Sequence, residues 1–166
     1  MPTPPHIRIY EYRMKISVII LAAITPILCM LIHGYEPSLS TYWKTDLQPL
    51  FIIANASTSY YLYSVKRWKI SAFLLLMLTA FSIELYRGVH DVLAIIFFLA
   101  TLIPLLKTNH FRWVKWVYLS SLLFLPLGLI WSEIVAIWAL CLYHGLVLNK
   151  VYKLSRDKDE KDFLKN

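Results

Sequence analysis

Residues 16–33 read ISVIILAAITPILCMLIH. A helix crossing a hydrocarbon core of about 30 Å needs roughly 20 mostly apolar residues, at about 1.5 Å rise each. This run comes close to that length with no charged side chain before His33. Arg8, Arg13 and Lys15 stand immediately before it. No small-residue cleavage motif follows it, so it is expected to stay as a span and not to be removed as a leader. Pro26 lies inside it and is expected to kink the helix, which membrane helices tolerate.

The same pattern recurs five times outward from this run. The second span is expected over residues 47–64, opened by Pro49, a residue suited to a first helical turn. The third is expected over 70–85 and the fourth over 90–106, with Tyr86-Arg87-Gly88-Val89 as a tight hairpin between them. The fifth covers 113–129 and the sixth 133–148, with Pro104 and Pro126 as further kinks. Of the 166 residues, 58% are hydrophobic and 16% charged, against roughly 25% charged in water-soluble domains. The expected fold is therefore all-α: a polytopic membrane bundle of six transmembrane helices in one domain, residues 1–150. Residues 151–166 are expected to form a charged cytoplasmic tail that prolongs the last helix briefly and then frays.

Orientation follows from the basic residues. Arg8, Arg13 and Lys15, then Lys66, Arg67 and Lys69, then Lys107, Arg112 and Lys115, and finally Lys150, Lys153, Arg156, Lys158, Lys161 and Lys165 all fall on one side of a six-span chain. Of 17 basic residues only Lys44 and Arg87 fall on the other. The positive-inside rule then places both termini in the cytoplasm. Trp68, Trp113 and Trp116 are expected at the inner interface, and Trp43 and Trp131 at the outer one. The net charge of +7 is accounted for by these segments, which serve topology and anionic lipid, so a nucleic-acid partner is not expected. Membrane lipids are the expected partners, with a membrane protein or a second copy of the chain as further candidates. Cys29 and Cys141 both lie in apolar runs and are expected to be free thiols. A multi-pass protein of the bacterial inner membrane is the expected location.

The acids between the termini, Glu36, Asp46, Glu84, Asp91 and Glu133, all fall on the outer side, with His33, His90, Ser38, Ser40 and Tyr42. Ionisable groups beside hydrocarbon usually have partners or a role. Around the hairpin, the plain reading is a salt-bridged turn in which Arg87 neutralises an acid and Asp91 favours a helix N-terminus. The functional reading makes His90, Glu84, Asp91 and Glu133 candidate catalytic groups. His33, Ser38, Ser40, Tyr42 and Arg87 would then line a lipid or substrate site. Zinc is the metal that His90, His33 and Asp91 would suit, although no compact metal motif occurs and no other cofactor is indicated. A carboxylate of this group is expected to hydrogen-bond His90 directly or through water. Glu133 has a plainer reading as a charge opening the sixth helix. His144 lies 11 residues after Glu133, about 16 Å deeper. It reads as an interhelical hydrogen-bond partner, and its depth argues against bis-histidine haem. Asn55 and Ser59 share one face of the second span, as glue between helices or as the wall of a polar cavity.

Two segments carry a resemblance. Ser38-Leu39-Ser40-Thr41-Tyr42-Trp43 follows the first span, and His90-Asp91-Val92-Leu93-Ala94-Ile95-Ile96-Phe97-Phe98 opens the fourth. A Ser-x-Ser-aromatic segment followed by His-x-x-x-Ala-x-x-Phe-Phe resembles the DRAM/Frag/Sfk-type small membrane proteins and their bacterial relatives. That group includes factors linked to glycolipid-anchor remodelling. By similarity it has been placed beside membrane hydrolases that hold zinc through Ser, Asp and several His. The resemblance carries over Ser38, Ser40 and His90. A paired His-x-x-x-His is absent, because residues 140 and 148 are both Leu. Three functional classes follow: a lipid-associated binding or accessory protein, a membrane-embedded lipid-modifying enzyme, and a small transporter or channel subunit.

Overall fold

The computed structural model describes the backbone of residues 5–163 and the side chains of residues 9–156. The side chains of Arg8, Lys158 and Lys161, and Lys165 as a whole, lie outside the described residues. Among the described residues the chain is helical with no strand. Six α-helices follow in order: α1 (Pro5–His33), α2 (Gln48–Ser64), α3 (Lys69–Ala80), α4 (Arg87–Lys107), α5 (Arg112–Ser120) and α6 (Leu129–Phe163). Short 3₁₀ segments cover Leu39–Lys44, Lys66–Trp68 and Ser121–Leu127.

Three of these helices are long and apolar enough to cross a membrane, over Ile9–His33, Arg87–Lys107 and Leu129–Arg156. The other expected spans are shorter. Helix α2 has 17 residues and α3 has 12, ending at Ala80 and not at Leu85. After Ala80 the backbone turns extended at Phe81, with φ −93° and ψ 90°. The Ser82 carbonyl accepts the Tyr86 N–H at 3.0 Å and the Ser82 hydroxyl accepts the Leu85 N–H at 3.4 Å. Such local serine bonds offer the backbone an alternative to another helical turn. The turn thus occupies residues 81–86, and α4 starts at Arg87, inside the expected hairpin. The fifth span is divided as well: α5 has 9 residues and gives way to a 3₁₀ segment of 7 residues that contains Pro126. Proline has no N–H for the helical ladder. Helix α6 runs unbroken from Leu129 to Phe163, so no break separates the bundle from the charged tail near residue 150.

Each helix packs on the next, and α6 returns to α1, which closes the six into a ring. The seam between α4 and α5 is the thinnest of the ring. The larger core gathers Trp68, Phe97, Leu105, Tyr118 and Tyr143. Trp68, expected at a membrane interface, is buried there against the His144 ring, 4.5 Å between centroids. A second, smaller core collects Cys29, Leu39, Tyr42, Ile130 and Ile134 at the end that carries the Leu39–Lys44 segment. Polar groups inside the bundle pair across helices. Ser59 donates to the Ala72 carbonyl at 2.6 Å, Tyr61 bonds His144 Nδ1 at 3.0 Å, and Thr101 bonds Tyr118 at 2.6 Å. The outside is apolar, with Leu31, Phe73, Ile95, Leu99 and Leu123 all exposed, as a hydrocarbon solvent requires.

Candidate functional site

The link between α1 and α2 builds one wall of the site. Gly34, with φ +96°, ends α1 as left-handed glycines do, and its N–H donates to the Met30 carbonyl at 3.0 Å. The chain then lies across the start of α6. The Ile130 N–H donates to the Pro37 carbonyl at 3.1 Å. The Leu39 N–H donates to Glu133 Oε2 at 2.7 Å. Tyr42, fully buried, donates its hydroxyl to the Gly34 carbonyl at 2.6 Å. Burial first, then Cys29 and Glu36 nearby, push the Tyr42 phenol above its ordinary pKa. The phenol therefore stays protonated and keeps donating. Ser38 and Thr41 bond each other through their hydroxyls at 3.0 Å.

This stitching sets Ser40 beside His90. His90, in the first turn of α4, is buried, and its two ring nitrogens have different partners. Nδ1 lies 2.7 Å from the Phe81 carbonyl oxygen, and Nε2 lies 2.8 Å from Ser40 Oγ. A carbonyl only accepts, so the proton of the neutral ring belongs on Nδ1. Nε2 then presents its lone pair to the Ser40 hydroxyl, which donates. The expected carboxylate partner of His90 is not there, because both nitrogens are engaged elsewhere. The early end of α3 explains this: the turn at residue 81 frees a carbonyl that a longer helix would have kept in its own ladder.

The candidate residues divide by place. Ser38, Ser40, Arg87, His90, Asp91 and Glu133 all line one cavity of about 710 Å³, together with Thr41 and Lys44. Its remaining wall is apolar, with Ile83, Ala94, Ile95, Phe98 and Leu129 among its residues. Arg87 Nε and Asp91 Oδ2 stand 4.0 Å apart as an exposed pair at the rim, in accord with the salt-bridged turn. Glu84 is exposed and lies outside this wall. His33 faces Glu36 at 3.6 Å, and Tyr42 is spent on the loop, so neither joins the lining. Glu133 sits in the second turn of α6, which begins at Leu129. It therefore holds the neighbouring loop and is not a charge opening the helix. A second cavity of about 260 Å³ shares Ile95, Phe98, Leu129 and Glu133 with the first and lies among α4, α5 with the 3₁₀ segment after it, and the start of α6.

Metal ligation finds less support. Among the described residues no three His, Cys, Asp or Glu side chains gather around a point that could hold an ion. The zinc candidates His90, His33 and Asp91 each have other partners. Cys29 and Cys141 are free thiols. His144, packed against Tyr61, Trp68 and Tyr143, serves as an interhelical partner, with Nε2 unbonded. Sequence reasoning set Ser40 and His90 on the same side of the membrane but missed their pairing, along with the roles of Phe81 and Leu39. The last two act through backbone atoms, which leave no mark in side-chain chemistry. No protein-family model, characterised protein or solved structure matches the chain.

Proposed function

We propose that the chain is a multi-pass protein of a bacterial inner membrane, with six spans and both termini cytoplasmic, whose outer-end cavity binds a membrane lipid. One observation carries this reading. The cavity is lined by hydroxyl and charged groups of the Ser38–Lys44 segment and the first turns of α4, and by the apolar side chains Ala94, Ile95, Phe98 and Leu129, of which Ile95, Phe98 and Leu129 also line a second, largely apolar cavity. An amphiphile has that division of character. Lys44 and Arg87 stand on the polar side, where an anionic headgroup would meet them. Asp91 partly offsets Arg87, so Lys44 carries more of the attraction. The acyl chain would pass Ile95, Phe98 and Leu129 toward the thin seam between α4 and α5, a lateral route from the bilayer. The resemblance to a family linked with glycolipid-anchor remodelling points the same way.

A phospholipid with a photoactivatable group at mid-chain tests this binding. Cross-links are expected at Phe98, which is half-buried and lines both cavities, on the purified protein, and Lys44→Glu should reduce their yield several-fold. Adducts scattered over all exposed helix faces, with no dependence on Lys44, would reject the site.

A further inference from the structure

We propose that Ser40 and His90 are a nucleophile and general base that cleave an acyl ester of the bound lipid through an acyl-Ser40 intermediate. This proposal rests on the lipid-binding reading of the same cavity. The geometry has the three parts that an activated serine needs. The nucleophile is Ser40 Oγ. The base is His90 Nε2, 2.8 Å away. The orienting group is the Phe81 carbonyl, 2.7 Å from Nδ1. It fixes the tautomer that leaves Nε2 free to take a proton. In the serine triad a carboxylate has that orienting duty; here a backbone carbonyl at the broken end of α3 has it. The imidazolium formed during reaction would still donate from Nδ1 to that oxygen.

A plainer reading makes the Ser40–His90 bond a fastener between the loop and α4. The loop is already tied to α6 twice, by Glu133 to Leu39 and Ile130 to Pro37, and braced within itself by Tyr42 to Gly34. Ser40 is half-buried and lines the 710 Å³ cavity together with His90, so the pair borders a space that a ligand could enter. A fastener needs no such opening, whereas a nucleophile does. The apolar annex beside Phe98 suits an acyl chain, and Lys44, on the same wall as Ser40, suits the headgroup phosphate. The ester bond of such a lipid lies between those two parts.

The chemistry balances without a further reagent except water. Ser40 Oγ attacks the ester carbonyl carbon as its proton passes to His90 Nε2. The new Oγ–C bond forms and the carbonyl electron pair moves onto oxygen. When that pair returns, the ester C–O bond breaks, and Nε2–H protonates the departing alkoxide. A deacylated lipid alcohol leaves. Water then attacks the acyl-serine with His90 again as base, releasing a fatty acid and restoring the Ser40 hydroxyl.

The test uses the full chain in phospholipid nanodiscs with a fluorophosphonate probe, which phosphonylates activated serines with loss of fluoride. Peptide mass analysis is expected to locate the adduct on Ser40 of the wild-type protein. Ser40→Ala should abolish it. His90→Gln keeps a neutral polar side chain able to bond Ser40 but cannot take up a proton, so labelling should slow by about 100-fold or more. His90→Ala should label as poorly. Vesicles of an ester-linked phospholipid should release fatty acid with wild type and not with Ser40→Ala. Lipid cross-linking at Phe98 is measured on the same samples. Wild type that cross-links lipid yet is unlabelled at Ser40, or is labelled equally fast as His90→Gln, overturns the nucleophile–base pair and leaves the binding site standing. Labelling of Ser40 without lipid cross-linking overturns the binding reading instead. Labelling and cross-linking without fatty acid release overturn the lipid ester as substrate.

Discussion

Glu133 shows how much one side chain can decide. It is buried and its Oε2 accepts the Leu39 N–H at 2.7 Å, directly beside the residue that meets His90. Stranding a buried donor costs about 1–3 kcal/mol. Glu133→Leu is therefore expected to lower unfolding stability by about that much and to loosen the Leu39–Lys44 segment. Glu133→Gln keeps a carbonyl acceptor and should restore both. Unfolding midpoints and amide exchange at Leu39 check this, and a Leu variant as stable as wild type would remove Glu133 from the loop's support. Sequence reading found Glu133, His90 and Ser40 because polar residues are rare in such a chain and stand out. It left Glu133 between a catalytic group and a charge opening the helix and did not see the bond to Leu39, since a carboxylate near a helix start looks the same whether it faces its own amides or a distant loop. The partners of His90 were hidden for a related reason. Every residue has a carbonyl, and only the fold decides that the one at Phe81 is left over.

At the scale of elements, apolar runs were easy to see and their interruptions were not. Helices α1, α4 and α6 have the length and hydropathy of spans, and each was legible as a long, mostly apolar run. The end of α3 and the division of the fifth span depend on backbone chemistry inside runs that are apolar throughout. Pro126 was visible as a kink, but the joint it prepares is completed by Gly128. That residue has φ 125° and ψ 146°, a region that side chains strongly disfavour, and an added Cβ would stand 2.7 Å from Tyr35 Oη. Gly128→Ala is expected to cost about 1–3 kcal/mol. The double variant Gly128→Ala, Tyr35→Ala separates the two causes: it relieves the contact and keeps the backbone strain, so most of the loss should persist. Recovery of wild-type stability in the double variant, measured by thermal unfolding in detergent, would assign the cost to Tyr35.

For the whole molecule the decisive quantity is the number of crossings. Three helices have membrane length, while the basic residues predict an even count. Rise per residue narrows the gap. The 17 residues of α2 extend about 25 Å. The 9 residues of α5 and the 7 that follow as 3₁₀ together reach about 27 Å, because 3₁₀ backbone rises about 2 Å per residue. Helix α3, with 12 residues, reaches about 18 Å alone, and the Lys66–Trp68 turn and the 81–86 turn must complete its passage or the bilayer must thin around it. The ring of helices packs α3 against α2 and α4. Cysteine accessibility on intact cells decides the matter, in a background with Cys29 and Cys141 replaced by Ala. Lys44, Lys66 and Arg87 are all exposed and flank α2 and α3 in turn. Lys44→Cys and Arg87→Cys are expected to react with an impermeant maleimide from outside. Lys66→Cys and Lys153→Cys should react only after permeabilisation. If Lys66→Cys labels from outside together with the other two, α2 and α3 form a re-entrant pair and the six-span bundle is wrong. If the whole pattern is inverted, the count survives, and the cavity faces the cytoplasm.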